Sequence, residues 1–281
     1  MGRHRAGSSR PTRPLIRVAN APVSYGAFEL TIGLPNVPEP EQVLDAIAAA
    51  GYEGTELGPL GYLGNAETVR ERLEARGLEL AGAFVELRFG EDDLAQLEKA
   101  LDLLEHFAAP PVLCDQGPRD GDVDLEDVAR AVERSRKRGF EPVFHHHMGT
   151  RVQTPAEIER LLDGTDVALL VDSGHLTAAG GDPVGALRDW GDRVRHVHVK
   201  DVRLDVLRTS PDWSSAWRAG AFCELGAGDV DLEAFLAELQ AGGYEGWLVV
   251  EQDRILGPDD DPTEAALAQA RNRRWLSAHG F

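Results

Sequence analysis

Four times along the chain a glycine is followed by an aromatic residue or leucine and then by glutamate: Gly51-Tyr52-Glu53, Gly77-Leu78-Glu79, Gly139-Phe140-Glu141 and Gly243-Tyr244-Glu245. Each copy follows a segment of helical character (EQVLDAIAAAG, ETVRERLEARG, DVARAVERSRKRG, LEAFLAELQAGG) and precedes an apolar run. Glycine just past the last helical turn takes most readily the left-handed backbone that ends a helix. The pattern therefore marks four helix-to-strand junctions. Their spacings of 26, 62 and 104 residues fit one, two and three repeats of roughly 26–35 residues. A chain that alternates helix and strand at that period builds a parallel sheet, because parallel neighbours need a crossover and the helix supplies it.

Eight candidate strands fall on this grid: 17–24, 54–58, 78–87, 110–115, 141–146, 167–172, 193–200 and 246–251. Most are near-continuous apolar runs, as expected of strands covered on both faces. PTEAALAQARNRRWLSAHG supplies a closing helix. Eight βα units without a break in composition predict a single-domain (β/α)8 TIM barrel over 15–281 rather than a doubly wound open sheet. The stretch 201–230 is longer than an ordinary connection, so it reads as an extended loop after the seventh strand, and VRLDVLRTSPDWSSAWRAG within it is suited to one helix. Residues 1–14 are basic, lack a following apolar segment of signal-peptide type, and read as a flexible arm.

The formal net charge of −19 sets up a field that repels phosphate backbones and disfavours nucleic acid as a partner. No apolar run approaches the roughly 18 residues of a membrane helix. Cys114 and Cys223 lie far apart and form no CxxC, so they read as buried small apolar side chains in a chain suited to a reducing cytoplasm.

In a barrel of this kind, active sites lie at the C-terminal strand ends. The fifth candidate strand ends in His145-His146-His147, and the sixth in Asp172 with His175 three residues on. The seventh carries His196 and His198 and runs into Lys200-Asp201, and the eighth ends in Glu251. Glu56, Glu86 and Asp115 come from the second, third and fourth. Singly, each has an ordinary explanation: a hydrogen-bonded histidine, a helix N-cap at Asp172, a solvated or salt-bridged Lys200. Together, on four consecutive strands, they point to one pocket. Imidazole nitrogen with carboxylate oxygen suits zinc, manganese, iron or cobalt rather than calcium, and such a site with an open position accepts a substrate oxygen. Strand alternation puts His145 and His147 on one face and His146 on the other, and pairs His196 with His198.

The stretches HHHMGTRVQT, LLVDSGHLTAAGGDP, RHVHVKDVR, GAGDVDL and GYEGWLVVEQD resemble, in that order, the inosose (2-keto-myo-inositol) dehydratases of the xylose-isomerase-like TIM-barrel superfamily of sugar isomerases, epimerases and dehydratases. APVSYGAFE and TELGPLGYLG resemble its first two units. The resemblance implies one divalent metal, manganese or cobalt first, with zinc or iron as alternatives. Its ligands fall on Asp172, His198 and Glu251, with His145 where the superfamily usually carries glutamate. It implies His147 or Glu251 as proton acceptor, with His175 or Lys200 assisting departure of a hydroxyl. Arg203 is implied as a substrate contact, and Glu56 as a substrate contact or a support of the barrel. Glu86 and Asp115 rank behind these, and His146 is expected to be structural.

The activity implied is dehydration of a keto-cyclitol or keto-sugar through a metal-stabilised enolate. Isomerisation or epimerisation through an enediolate starts with the same proton abstraction and stays open, as do cleavage of a C-glycosidic bond in a 3-keto sugar and a non-catalytic sugar-binding barrel. A nuclease on the same barrel is disfavoured by the charge and by the lack of a basic groove. The group often pairs, so a homodimer is expected.

Overall fold

The computed structural model describes residues 16–90, 94–257 and 260–281; the arm expected over 1–14 lies outside them. Among the described residues ten strands occur: β1 (Ile16–Asn20), β2 (Gly54–Glu56), β3 (Glu79–Leu87), β4 (Pro111–Asp115), β5 (Val143–His145), β6 (Ala168–Asp172), β7 (Val194–Val199), the short β8 (Asp201–Val202) and β9 (Phe222–Cys223), and β10 (Gly246–Val250). All but β8 and β9 close into one barrel in the order β1-β10-β7-β6-β5-β4-β3-β2, with every neighbouring pair parallel. Each of the eight expected strands overlaps one of these.

The repeated junction behaves as its chemistry requires. Gly51, Gly77, Gly139 and Gly243 all have positive φ, at 88°, 66°, 87° and 68°. At Gly139 an added Cβ would meet nothing within 4 Å, so alanine there isolates the backbone cost of the left-handed turn. Gly139→Ala is expected to destabilise the fold by about 1–2 kcal/mol, read as a lower urea midpoint with unchanged slope.

Alternation along the strands sorts the side chains into two layers. Phe144, Leu169, Val171, Val197 and Val199 belong to the large apolar cluster shared with the helices. Their neighbours Val143, Ala168 and Leu170 cluster separately with Val112, and Ala19 and Ala81 with Val249; these point into the barrel. Register then dictates what lies above them. Leu170 is the Cα partner of His196, and Asp172 that of His198; His198 is also paired with Val249. Two residues beyond Val143, Leu170, His196 and Val249 come His145, Asp172, His198 and Glu251. The polar rim is thus the next inward layer of an apolar stack.

The stretch 201–230 holds two short helices, Leu204–Thr209 and Trp213–Arg218, where one was expected. Pro211 offers no N–H to continue the first, and Asp212 starts the second by accepting a bond from the Ser215 amide at 2.7 Å. The antiparallel pair β8–β9 frames the insertion. Asp201 gathers it, accepting backbone N–H bonds from Val202, Gly226, Gly228 and Val230 at 2.9–3.2 Å. Among the described residues no helix is long and apolar enough to cross a membrane.

Candidate metal centre

Ligand atoms of His145, Asp172, His198 and Glu251 all lie within 4.8 Å of one another, and all four residues are buried. Asp172 divides its two oxygens. Oδ1 accepts the His175 amide at 2.8 Å, capping the helix Ser173–Ala178, while Oδ2 turns to the cluster. The helix-cap reading and the ligand reading of this residue are therefore compatible.

Behind the quartet a second layer fixes the imidazoles. Nε2 of His196 and Nε2 of His198 stand 2.8 and 2.9 Å from the same oxygen of Glu56. A carboxylate only accepts, so both nitrogens carry the proton and donate. In the neutral form a metal ligand takes, Nδ1 of His198 is the lone-pair atom, and it points at Glu251 Oε2 (3.1 Å) and Asp172 Oδ2 (3.5 Å). Acceptors at such distances ask for a positive charge among them, which a bound divalent ion would supply in place of a proton on Nδ1. Nδ1 of His145 is also buried without a hydrogen-bond partner. The donor set fits a divalent ion, and Glu56 stands where a carboxylate orients a ligating histidine. His146 has the structural role expected, its Nε2 accepting the backbone N–H of Asp172 at 3.1 Å.

Among the described residues two other groups of metal-binding type occur. Glu56, His196 and His198 are already joined by hydrogen bonds. In the group His145, His147 and His175, Nδ1 of His147 is committed to the Met148 carbonyl at 2.8 Å. The mixed quartet is the one that combines unmatched imidazole nitrogen, at His145 and His198, with an unmatched carboxylate oxygen, at Asp172.

Lys200 is fully buried rather than solvated. Its Nζ lies 3.1 Å from Asp172 Oδ2, 2.9 Å from Glu251 Oε2 and 2.8 Å from Asp253 Oδ1, and donates to His175 Nε2 at 3.0 Å. A Cβ on Gly174 would meet its stem at 2.7 Å, so the glycine after Ser173 makes room for the lysine. Asp201 points away from it, into the 226–230 turn.

A cavity of about 310 Å³ opens over the quartet. His145, Glu251, Glu56, His147 and Asp253 reach it from the strand ends, and Phe28, Trp213 and Trp217 wall its mouth. Residues 44–278 match the xylose isomerase-like TIM barrel family. The chain belongs to that family.

An inosose dehydratase of Lacticaseibacillus casei is 33% identical over 256 residues, covering 80% of this chain and 84% of that protein. A rhizopine catabolism protein, MocC, of Rhizobium meliloti is 36% identical over 270 residues, covering 86% of this chain and 83% of its own length. Among solved structures, the IolI protein with a bound zinc atom aligns with a TM-score of 0.69 at 15% identity, covering 94% of this chain and 99% of its own. D-allulose 3-epimerase from Methylomonas in complex with D-allulose aligns at 0.68 and 17% identity, covering 94% and 97%. At those identities the two structures speak for the family fold alone.

Most of the residues singled out from the sequence gather around this family cavity, with three differences. Arg203 is exposed and lines a neighbouring cavity with Arg218, Phe222 and Arg254; it starts the helix Leu204–Thr209, which turns its side chain away from the quartet. Lys200 and His175 do not reach the cavity surface. Both are fully buried beneath it, with the His175 ring 3.9 Å from that of His147, so neither touches a departing hydroxyl directly. Asp115 forks with Arg151 (2.6 and 2.8 Å), tying β4 to the turn after His147, while Glu86 lines the cavity mouth. Sequence reasoning missed Asp253, although it lies two residues beyond Glu251, and missed the aromatic wall, whose residues carry no motif.

Charge in the metal-free protein sets a stability profile. Burial pushes His146 and His147 down from 6.5 to about 3; for His147 the neighbouring His175 and Lys200 add to this. The unfolded chain takes up these protons below pH 6.5 and the fold does not. Stability of chelated protein is therefore expected to fall as pH drops from 6.5 toward 4, and a urea midpoint flat across that window would contradict these environments. Burial raises Asp172 and Glu56, but it is outweighed by Lys200 together with His175, His198 and His145 for the first and by His198 together with His196 for the second, which hold both low. Their contribution is present at neutral pH and is lost below about 4. His198 has the opposite sign: burial is outweighed by Glu251 and Glu56, which hold its pKa up, so its contribution fades only at high pH.

Proposed function

We propose that this protein is a metal-dependent carbon–oxygen lyase that dehydrates a keto-cyclitol of the 2-keto-myo-inositol type. The observation that carries the reading is a free proton acceptor placed beside a mixed nitrogen and oxygen quartet in one cavity, in a chain about one-third identical to inosose dehydratases over most of its length. Manganese or cobalt is the proposed ion, bound by His145, Asp172, His198 and Glu251. A homodimer in the cytoplasm is the proposed assembly and location.

His145, Asp172, His198 and Glu251 would hold a divalent ion, which would supply Lewis acidity toward a ketone oxygen beside the C–H to be broken. His147 is the proposed base. Its Nδ1–H donates to the Met148 carbonyl, so the lone pair lies on Nε2, and the low pKa keeps the ring neutral at pH 7. Glu251 is the other candidate, but its carboxylate is occupied in the quartet. The proton taken from carbon passes from His147 to the β-hydroxyl as it leaves as water, with His175 and Lys200 assisting from beneath. Glu56 acts through His198 and reaches the cavity wall, where it can also meet a substrate hydroxyl. The aromatic wall of Phe28, Trp213 and Trp217 limits water around the enolate.

The test is to reconstitute chelated protein with manganese, add 2-keto-myo-inositol and follow the dione chromophore. Interconversion of keto sugars without dione would move the assignment to the isomerase and epimerase branch, which begins with the same proton transfer. Stoichiometric metal with no turnover of either kind would leave a sugar-binding barrel.

A further inference from the structure

No step above uses Asp253, yet it is 5% exposed and lies beside the quartet without belonging to it. Its Oδ1 is the nearest of the four groups around Lys200 Nζ, at 2.8 Å, and its Oδ2 is 3.4 Å from His175 Nε2. The ammonium has three protons to share among four acceptors. Two of those acceptors, Asp172 Oδ2 and Glu251 Oε2, belong to the quartet. Asp172 has no spare oxygen, because Oδ1 is held by the His175 amide. Lys200 and a divalent ion therefore draw on the same oxygens.

Apart from Glu56, which is held by His196 and His198, the charges divide into two sets. Asp172 and Glu251 carry two negative charges, which match one divalent ion now that His145 stands at the fourth position. Asp253 carries one, which matches Lys200. We propose that Asp253 is a positioning residue that holds the Lys200 ammonium toward itself and His175, and so keeps it from competing with the metal for Asp172 and Glu251. The stem of Lys200 is pinned for this: its backbone N–H donates to Ser173 Oγ (2.9 Å), and that hydroxyl donates back to the Lys200 carbonyl (2.8 Å). Only the end of the side chain is left to choose between the two pairs of partners. Without Asp253 the buried ammonium has only the ligand carboxylates to neutralise it, and an unpaired buried charge is too costly to leave.

This rests on the metal-centre reading, and the experiment separates the two. Chelated full-length protein is titrated with manganese, with free ion followed by electron paramagnetic resonance. Wild type is expected to take up one ion. Asp253→Asn keeps the shape and removes the charge, and is expected to weaken manganese binding by about 10–100-fold, the range typical of partners that support metal ligands. Lys200→Met removes the competitor and is expected to tighten binding. The double variant K200M/D253N is expected to match Lys200→Met, because Asp253 then has nothing to restrain. That comparison needs no folded Asp253→Asn protein, and Asp253→Glu is expected to restore binding where the amide weakens it. An undiminished affinity in Asp253→Asn overturns the proposal. So does a double variant weakened relative to Lys200→Met, since Asp253 would then act on the metal without the lysine. Wild type that takes up no manganese removes the metal centre itself, and this inference with it.

Discussion

Replacing Asp172 and His198 together with alanine is expected to abolish stoichiometric metal binding and to slow turnover by about a thousandfold or more, the several kcal/mol that a Lewis acid contributes to an enolate-forming step. The pair removes two adjacent proposed ligands, Cα partners across β6 and β7, and leaves His145 and Glu251 on opposite sides of the gap. Asp172→Ala also deletes a helix cap worth about 1 kcal/mol, so circular dichroism and metal content are measured alongside rate. Asp172→Asn sharpens the interpretation, because an amide oxygen still caps His175 while the charge on the metal side is gone. Full activity or a stoichiometric ion in the double variant would remove the metal site from consideration.

The second large effect concerns His147. Its conversion to glutamine is expected to lower kcat by about 10²–10⁴-fold, the usual contribution of a positioned proton-transfer group, with manganese affinity close to wild type. The two quantities separate because Nδ1 of His147 is spent on the Met148 carbonyl and the residue lies outside the mixed quartet. Loss of metal together with rate would place His147 in the ligand set, through the alternative cluster with His145 and His175.

Much of this was legible in one dimension. The four Gly-x-Glu junctions exposed the βα period, since only a residue without Cβ tolerates the left-handed turn at Gly51, Gly77, Gly139 and Gly243. Alternation predicted that His146 would part company with His145 and His147, and it does: its ring supports the backbone of Asp172 while His145 and His147 line the cavity. The position of Arg203 was not legible, because a helix begins there and rotates the side chain into another cavity. Nor was the depth of Lys200. A lysine beside an aspartate reads as a surface pair, and only the closed barrel reveals that its partners are Asp172, Glu251 and Asp253, 28 to 53 positions away in sequence.

What the sequence determined by itself was periodic and local: helix ends, strand runs, the inward or outward face of each side chain, and the chemical types at each strand end. Those follow from backbone sterics and a two-residue repeat, which act within a few positions. What only the tertiary structure decided was which of those groups meet. Glu56 between His196 and His198, and one ammonium shared among three carboxylates, arise from barrel closure and strand register, and both are set by packing between segments that the chain itself holds far apart.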